Sequence, residues 1–246
     1  MKKNLVTALI LVTGITFLAS CKKENADLTP QSGEELATQK IKNPKAPSRI
    51  KTETSSFGTK NYTYNADFNS TGNTGVSPKV YTYPDATHII ETPSSDPVVT
   101  YQLNKKGLIE TATTDYTTQY WTFNSKNQLT EIKTVGNSSG DVNYYKYVYN
   151  SDGNLDTLSE IANGTVSWWE TFTYYTDQPN VMDNDVFGEG FKGVSSKNLL
   201  KSSESHYPNY VSVWNQWYAY DPYGRVVKVS HTVNGNPQSD YIYTYY

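Results

Sequence analysis

The stretch YAYDPYGRVVKV, residues 218–229, sets an Asp, a Pro and a Gly between two runs in which apolar residues alternate. The same frame returns as YQLNKKGLI (101–109), WTFNSKNQL (121–129) and YVYNSDGNL (147–155). Each copy reads aromatic-x-apolar, then Asn or Asp, two free positions, Gly or Asn, one free position and an aliphatic residue. Half copies stand at YTYN (62–65), YTYPD (81–85), FTY (172–174) and YTY (243–245). Except across residues 172–218, successive frames lie about 20 to 26 residues apart, enough for one hairpin and its return.

Each part of the frame has a local role. The Asn or Asp opens a turn by accepting backbone N–H bonds on its side chain. The two free positions take right-handed dihedrals, which Pro222 presets in the last copy. Gly or Asn then takes the positive φ that closes a three-residue hairpin loop with a bulge. Tyr218 and Tyr220 share one face of the incoming strand, because side chains alternate. Asp221 is therefore read as a turn residue, not as a catalytic acid.

Composition agrees with strands. Among 246 residues there are 22 Tyr, 5 Trp and 7 Phe, set in Thr, Ser and Asn, which suits pleated, half-buried surfaces. The expected fold is all-β: an antiparallel meander of hairpins forming a broad curled sheet or barrel-like body, with closure left open. It should span residues 49–246 as a single domain, interrupted by an irregular insertion at 176–197. Loops that long are usually functional or flexible, so the insertion is the first place to look for a binding surface.

The first residues read as an address. Lys2 and Lys3 precede an apolar stretch, residues 5–18, too short to cross a hydrocarbon core that needs roughly 20 residues. Leu18-Ala19-Ser20-Cys21 then resembles the lipobox of bacterial lipoproteins, in which the Cys is acylated and becomes the first residue. Residues 1–20 are thus expected to be a signal peptide and Cys21 a lipid anchor, the membrane being one partner. Cys21 is the only cysteine, so the mature chain holds together without an internal disulfide. Lys22, rather than Asp, follows it, and the resemblance implies the outer membrane of a Gram-negative cell, facing either periplasm or exterior. Residues 21–48 mix charge with Pro, Ser and Gln and read as a flexible tether reaching on the order of 30 Å.

The frame Y-x-Y-D-x-x-G-R-V also resembles the YD repeat of Rhs-type proteins. Lipobox, Tyr-rich hairpins and the stretch GVSSKNLL (193–200) together resemble a family of uncharacterised bacterial lipoproteins. That likeness covers roughly residues 48–246. It implies a porin-like antiparallel β fold with no known activity. The copies here are too few to enclose a toxin cargo as Rhs arrays do. Insertion of the body into a membrane is disfavoured, because a spanning strand needs 9–11 residues with an apolar outer face, whereas these strands are short and alternate with Thr, Ser, Lys and Glu.

Residues for chemistry are scarce. The body has only two arginines, Arg49 and Arg225, and once Lys2 and Lys3 leave with the leader 19 basic residues face 24 acidic ones, so nucleic acid is not an expected partner. His88, His206 and His231 fall in no metal-binding spacing, and no nucleophile, cofactor or metal set stands out. The acidic run Asp183-Asn-Asp185 with Gly188 and Glu189 starts like a calcium loop, but Phe187 and Val194 occupy ligand positions. Trp168, Trp169, Trp214 and Trp217 are the candidate ligand-binding residues, as a platform for sugar rings. Most aromatics are needed for the core, and Trp168 and Trp169 must point to opposite faces. The leading expectation is a lipid-anchored, non-enzymatic binding or scaffold module with a glycan or protein ligand. The alternatives are an envelope hydrolase using carboxylates such as Glu170, Asp183 or Glu189, and a purely structural envelope component.

Overall fold

The computed structural model describes residues 49–246; the expected signal peptide, Cys21 and the tether lie outside the described residues. The chain runs through β1 (Ile50–Ser55), β2 (Gly58–Tyr64), β3 (Ser70–Gly75), β4 (Lys79–Thr82), β5 (His88–Pro93), β6 (Val99–Leu103), β7 (Ile109–Thr113) and β8 (Thr117–Phe123). It continues through β9 (Leu129–Gly136), β10 (Val142–Tyr149), β11 (Leu155–Ala162), β12 (Thr165–Pro179), β13 (Asn198–Tyr207), β14 (Tyr210–Tyr220), β15 (Val226–Val233), β16 (Asn236–Pro237) and β17 (Tyr241–Tyr245). From β1 to β15 each strand pairs antiparallel with the next. The last returns to the first, with Ile50 opposite Tyr245 and Thr54 opposite Ile242. β16 is a two-residue spur on β15, and β17 itself pairs with β15, so sixteen staves close the ring. The sheet that sequence left open is a closed barrel.

The frames explain why. Full and half copies fall on β2, β4, β6, β8, β10, β12, β14 and β17, so every second stave carries one. At five of the turns that follow, the Asn or Asp carboxamide or carboxylate oxygen binds two backbone N–H groups. Asn104 Oδ1 accepts from Lys106 at 2.8 Å and Leu108 at 3.2 Å; Asp221 Oδ1 accepts from Tyr223 at 2.9 Å and Arg225 at 3.0 Å. Asn65, Asn124 and Asn150 repeat this pattern. The closing position has positive φ at Gly107, Asn127, Gly153 and Gly224, but Phe68 stands there in the first corner, at φ 60°. A bulky side chain in that region is strained.

Registry sorts the two faces. Tyr62, Tyr81, Tyr101, Tyr218 and Tyr243 point into the barrel and are buried, with Ile50, Ile89, Ile109, Val226 and Val229 between them. Alternation then sends threonines outward. Thr63 bonds Thr71 at 2.8 Å, Thr173 bonds Ser202 at 2.6 Å, and Thr52 bonds Thr244 at 2.7 Å across the closing seam. Exposed ion pairs, Lys146–Glu131 at 3.2 Å and Lys228–Asp240 at 2.7 Å, complete the outer wall. β4 has 4 residues and β6, β7 and β17 have 5. The outer wall is mixed rather than a continuous apolar band: Val80, Tyr120, Val148, Trp169, Val211 and Ile242 stand exposed among the threonines, and among the described strands only β12, β13 and β14 reach 10 residues or more.

The antiparallel meander puts all frame corners at one end of the barrel, together with the connection from β12 to β13. The start of β1 and the end of β17 lie at that same corner end. β12 runs four residues further than the sequence suggested, through residues 176–179, so the irregular insertion is residues 180–197.

Candidate functional site

The four candidate tryptophans do not form one platform. Trp168 and Trp214 face the lumen, whereas Trp169 and Trp217 are on the outer wall, opposite His206 and Ser230. Trp169 lies flat on His206 with ring centroids 4.6 Å apart. Trp214 stacks on His231, which stacks on Tyr241, at 5.4 and 5.6 Å. His231 is buried, its Nε2 has no partner, and burial lowers its pKa. The sequence placed it in no metal-binding spacing, and an isolated His in a strand carries no signal for such a stack.

Trp168 belongs to a second row at the end opposite the corners. It stacks on Tyr207 at 6.1 Å, which stacks on Tyr210 at 4.4 Å, and Tyr145 leans on its other side at 6.5 Å. Tyr207 and Tyr210 flank the β13–β14 turn and are 37% and 58% exposed. Deeper on the same face, registry aligns Glu170, Ser205 and Ser212. The Tyr207 hydroxyl is held above its ordinary value, first by burial and then by Tyr210 and Glu170. Stacked rings beside a carboxylate and two hydroxyls are a mixed apolar and polar surface at the mouth.

The insertion is a packed plug. Phe187 meets Tyr62 edge-on at 5.7 Å, and Phe191 meets Tyr81 at 5.7 Å and Tyr101 at 5.9 Å. Gly188, at φ 69°, passes so close to β3 that a Cβ would stand 2.6 Å from the Ser70 nitrogen. The three acids of the calcium-like run separate. Asp183 caps the 3-10 turn Asn184–Phe187 and accepts from the Ser195 hydroxyl at 2.7 Å. Asp185 faces a corner-end cavity. Glu189 binds Lys192 at 2.6 Å, Lys79 at 3.0 Å and the Tyr81 hydroxyl at 2.9 Å. Burial raises the Glu189 pKa, but Lys192 and Lys79 outweigh it and hold the carboxyl down at about 2.

Carboxylates for hydrolysis are likewise engaged. Lys79 also lies 3.9 Å from Glu91, which accepts from Tyr101, and Glu160 accepts from Tyr145 and Ser167. Glu170, the remaining lumen acid of the proposed set, has no unengaged acid beside it among these. Among the described residues no group of three His, Cys, Asp or Glu gathers with metal-binding geometry.

Cavities border the plug at the corner end. One, of about 520 Å³, lies between the plug and the β8–β9 and β10–β11 corners, lined by Lys126, Asp152, Ser195 and Lys197. Another, of about 370 Å³, lies between the plug and the corners of β2–β3, β4–β5 and β6–β7.

No family model and no curated protein matches the chain, so the resemblances to YD repeats and to the lipoprotein family rest on their residues alone. Solved structures do match. A porin-like protein from Bacteroides uniformis ATCC 8492 superposes with a TM-score of 0.63 at 18% identity, over 82% of this chain and 99% of that one. A porin-like protein from Bacteroides vulgatus ATCC 8482 gives 0.58 at 14% identity, over 81% and 99%. What is shared is the closed antiparallel barrel.

Proposed function

We propose that this chain is a lipid-anchored, non-enzymatic binding module of the outer membrane, carried on Cys21 and a tether of residues 22–48, with its barrel standing in water. The reading rests on one observation, the distribution of chemistry across the wall. Aromatic rings fill the inside, a plug occupies the corner end, and on the outside threonines and ion pairs interleave with scattered apolar residues. A conducting pore inverts that pattern, with a polar lumen and an apolar band. The porin-like fold of the Bacteroides proteins supports an envelope setting. The tether joins β1 at the corner end, so the opposite mouth, with Trp168, Tyr207, Tyr210 and Glu170, is turned away from it. Rings that accept the C–H face of a sugar, beside acceptors for its hydroxyls, make a glycan the ligand this mouth suits.

Fractionation and a glycan array test the two parts. The full chain should sediment with outer membranes, and Cys21→Ser should release it as a soluble protein that needs no detergent. The soluble form should bind glycans, and Trp168→Ala should lower that binding at least about tenfold. Retention of Cys21→Ser in the membrane overturns the anchor, and an array without any bound glycan overturns the ligand.

A further inference from the structure

The lumen carboxylates fall into two sets. Glu53, Glu91 and Glu189 each have a lysine within reach: Lys60 at 3.2 Å, Lys79 at 3.9 Å and Lys192 at 2.6 Å. Glu160 and Glu170, beside Trp168, form no ion pair with any described residue. Registry sets Tyr145 opposite Glu160 and Glu160 opposite Trp168, and Glu170 follows on the same face of β12. The Tyr145 hydroxyl donates to Glu160 at 2.6 Å and the Ser167 hydroxyl at 2.5 Å. These neutral donors fill two of roughly four acceptor sites and leave the charge uncompensated. Glu170 accepts no hydrogen bond from the described residues.

Both carboxylates are partly withdrawn from solvent, where a charge without a counter-ion is costly. The one base facing the lumen nearby, His231, has its pKa lowered by burial and is neutral near pH 7. The rim has the same sign. The connections β1–β2, β3–β4, β5–β6, β7–β8, β9–β10, β11–β12, β13–β14 and β15–β17 contain Asp96, Asp115, Asp141 and Asp240 and no Lys, Arg or His. Of these, only Asp240 is paired, with Lys228. An opening lined by one sign of charge gathers ions of the other sign. The faces of Trp168, Tyr207 and Tyr210 act in the same direction, because aromatic rings attract cations.

We infer that the glycan held at this mouth is cationic, a chain of hexosamines whose amino groups are free and protonated. The inference rests on the reading of the mouth as a glycan site and adds the charge of its ligand. A sugar ring stacked on Trp168 carries its substituents at its edge, so an ammonium there is turned toward Glu160 and Glu170 rather than toward the indole. It donates three hydrogen bonds, which carboxylates receive as charge-assisted ones. An N-acetyl group in its place has no charge to set against either acid.

Calorimetric titration of the full chain at about pH 6, where amines are protonated and glutamates ionised, compares a glucosamine tetrasaccharide, its fully N-acetylated form and tetralysine. The amine form should bind at least about tenfold more tightly than the acetylated one, and at least about tenfold more tightly than tetralysine, which has charge without a ring to stack. Glu170→Gln should bring the two tetrasaccharides to within about threefold of each other. A gap below about threefold on the unaltered chain, or a reversed one, overturns the cationic ligand and leaves the glycan site standing. Tetralysine binding as tightly as the amine form overturns it in favour of a basic peptide. Binding of neither tetrasaccharide also overturns it, and the glycan array then shows whether the mouth takes other sugars. If Glu170→Gln fails to fold by circular dichroism, the comparison of ligands on the unaltered chain still decides the outcome.

Discussion

Replacing Glu189 by Gln removes the charge that seats the plug. The carboxylate lies 2.6 Å from Lys192, 3.0 Å from Lys79 and 2.9 Å from the Tyr81 hydroxyl, with its side chain 14% exposed. Its pKa falls from 4.5 to about 2, against the upward push of burial. At about 1.4 kcal/mol per unit, that difference is worth about 3 kcal/mol of folding stability. Because the folded value lies below the unfolded one, the stabilisation is complete well above 4.5 and is lost as pH falls toward 2. Gln preserves the shape but leaves Lys192 without its carboxylate and Lys79 with Glu91 alone, at 3.9 Å, and breaking a buried pair costs about 3–5 kcal/mol. Urea unfolding followed by tryptophan fluorescence should show E189Q less stable by about 3 kcal/mol near pH 7, narrowing to about 1.5 kcal/mol near pH 3. A gap below about 1 kcal/mol near pH 7, or one of the same size at both pH values, refutes an electrostatic seat for the plug.

Three further substitutions separate the levels of structure. Asn124→Ala removes the oxygen that binds the Lys126 and Gln128 nitrogens and should cost about 1–2 kcal/mol in the same unfolding assay. Trp168→Ala, inside the barrel, should cost about 3 kcal/mol. Trp169→Ala, on the outer wall and 43% exposed, should cost less than about 1 kcal/mol, and equal losses at the two positions would contradict the assigned faces.

The hairpins were legible because their signal is local. One Asn or Asp side chain, two free residues and a Gly decide a corner without reference to anything distant, and Asn104, Asn124, Asn150 and Asp221 behave as read. Closure was not legible, because the meeting of β17 with β1 depends on the accumulated tilt of every stave. The half copy YTY at 243–245 is its only trace. The insertion was legible as a break in the hairpin rhythm and a place to look for a binding surface, but not as a plug, because its packing partners lie on distant strands. Phe187 and Phe191, two rings within an acidic loop, were the available sign of a plug. The smaller corner-end cavity was hidden for a different reason: it joins three corners and the plug, which no sequence spacing connects.

The twelve frame tyrosines, Tyr62, Tyr64, Tyr81, Tyr83, Tyr101, Tyr147, Tyr149, Tyr174, Tyr218, Tyr220, Tyr243 and Tyr245, all have hydroxyls pushed above their ordinary value, in each case chiefly by burial. Four of them, Tyr83, Tyr147, Tyr149 and Tyr174, reach about 12. Alkaline titration followed by phenolate absorbance, with circular dichroism recorded on the same sample, therefore reads the filling of the barrel directly. A lumen packed with these rings keeps the twelve protonated until the strands unfold, and they then ionise together with the loss of the β signal. A smooth ionisation of all 22 tyrosines around pH 10, with the β signal intact, would mean a water-filled channel.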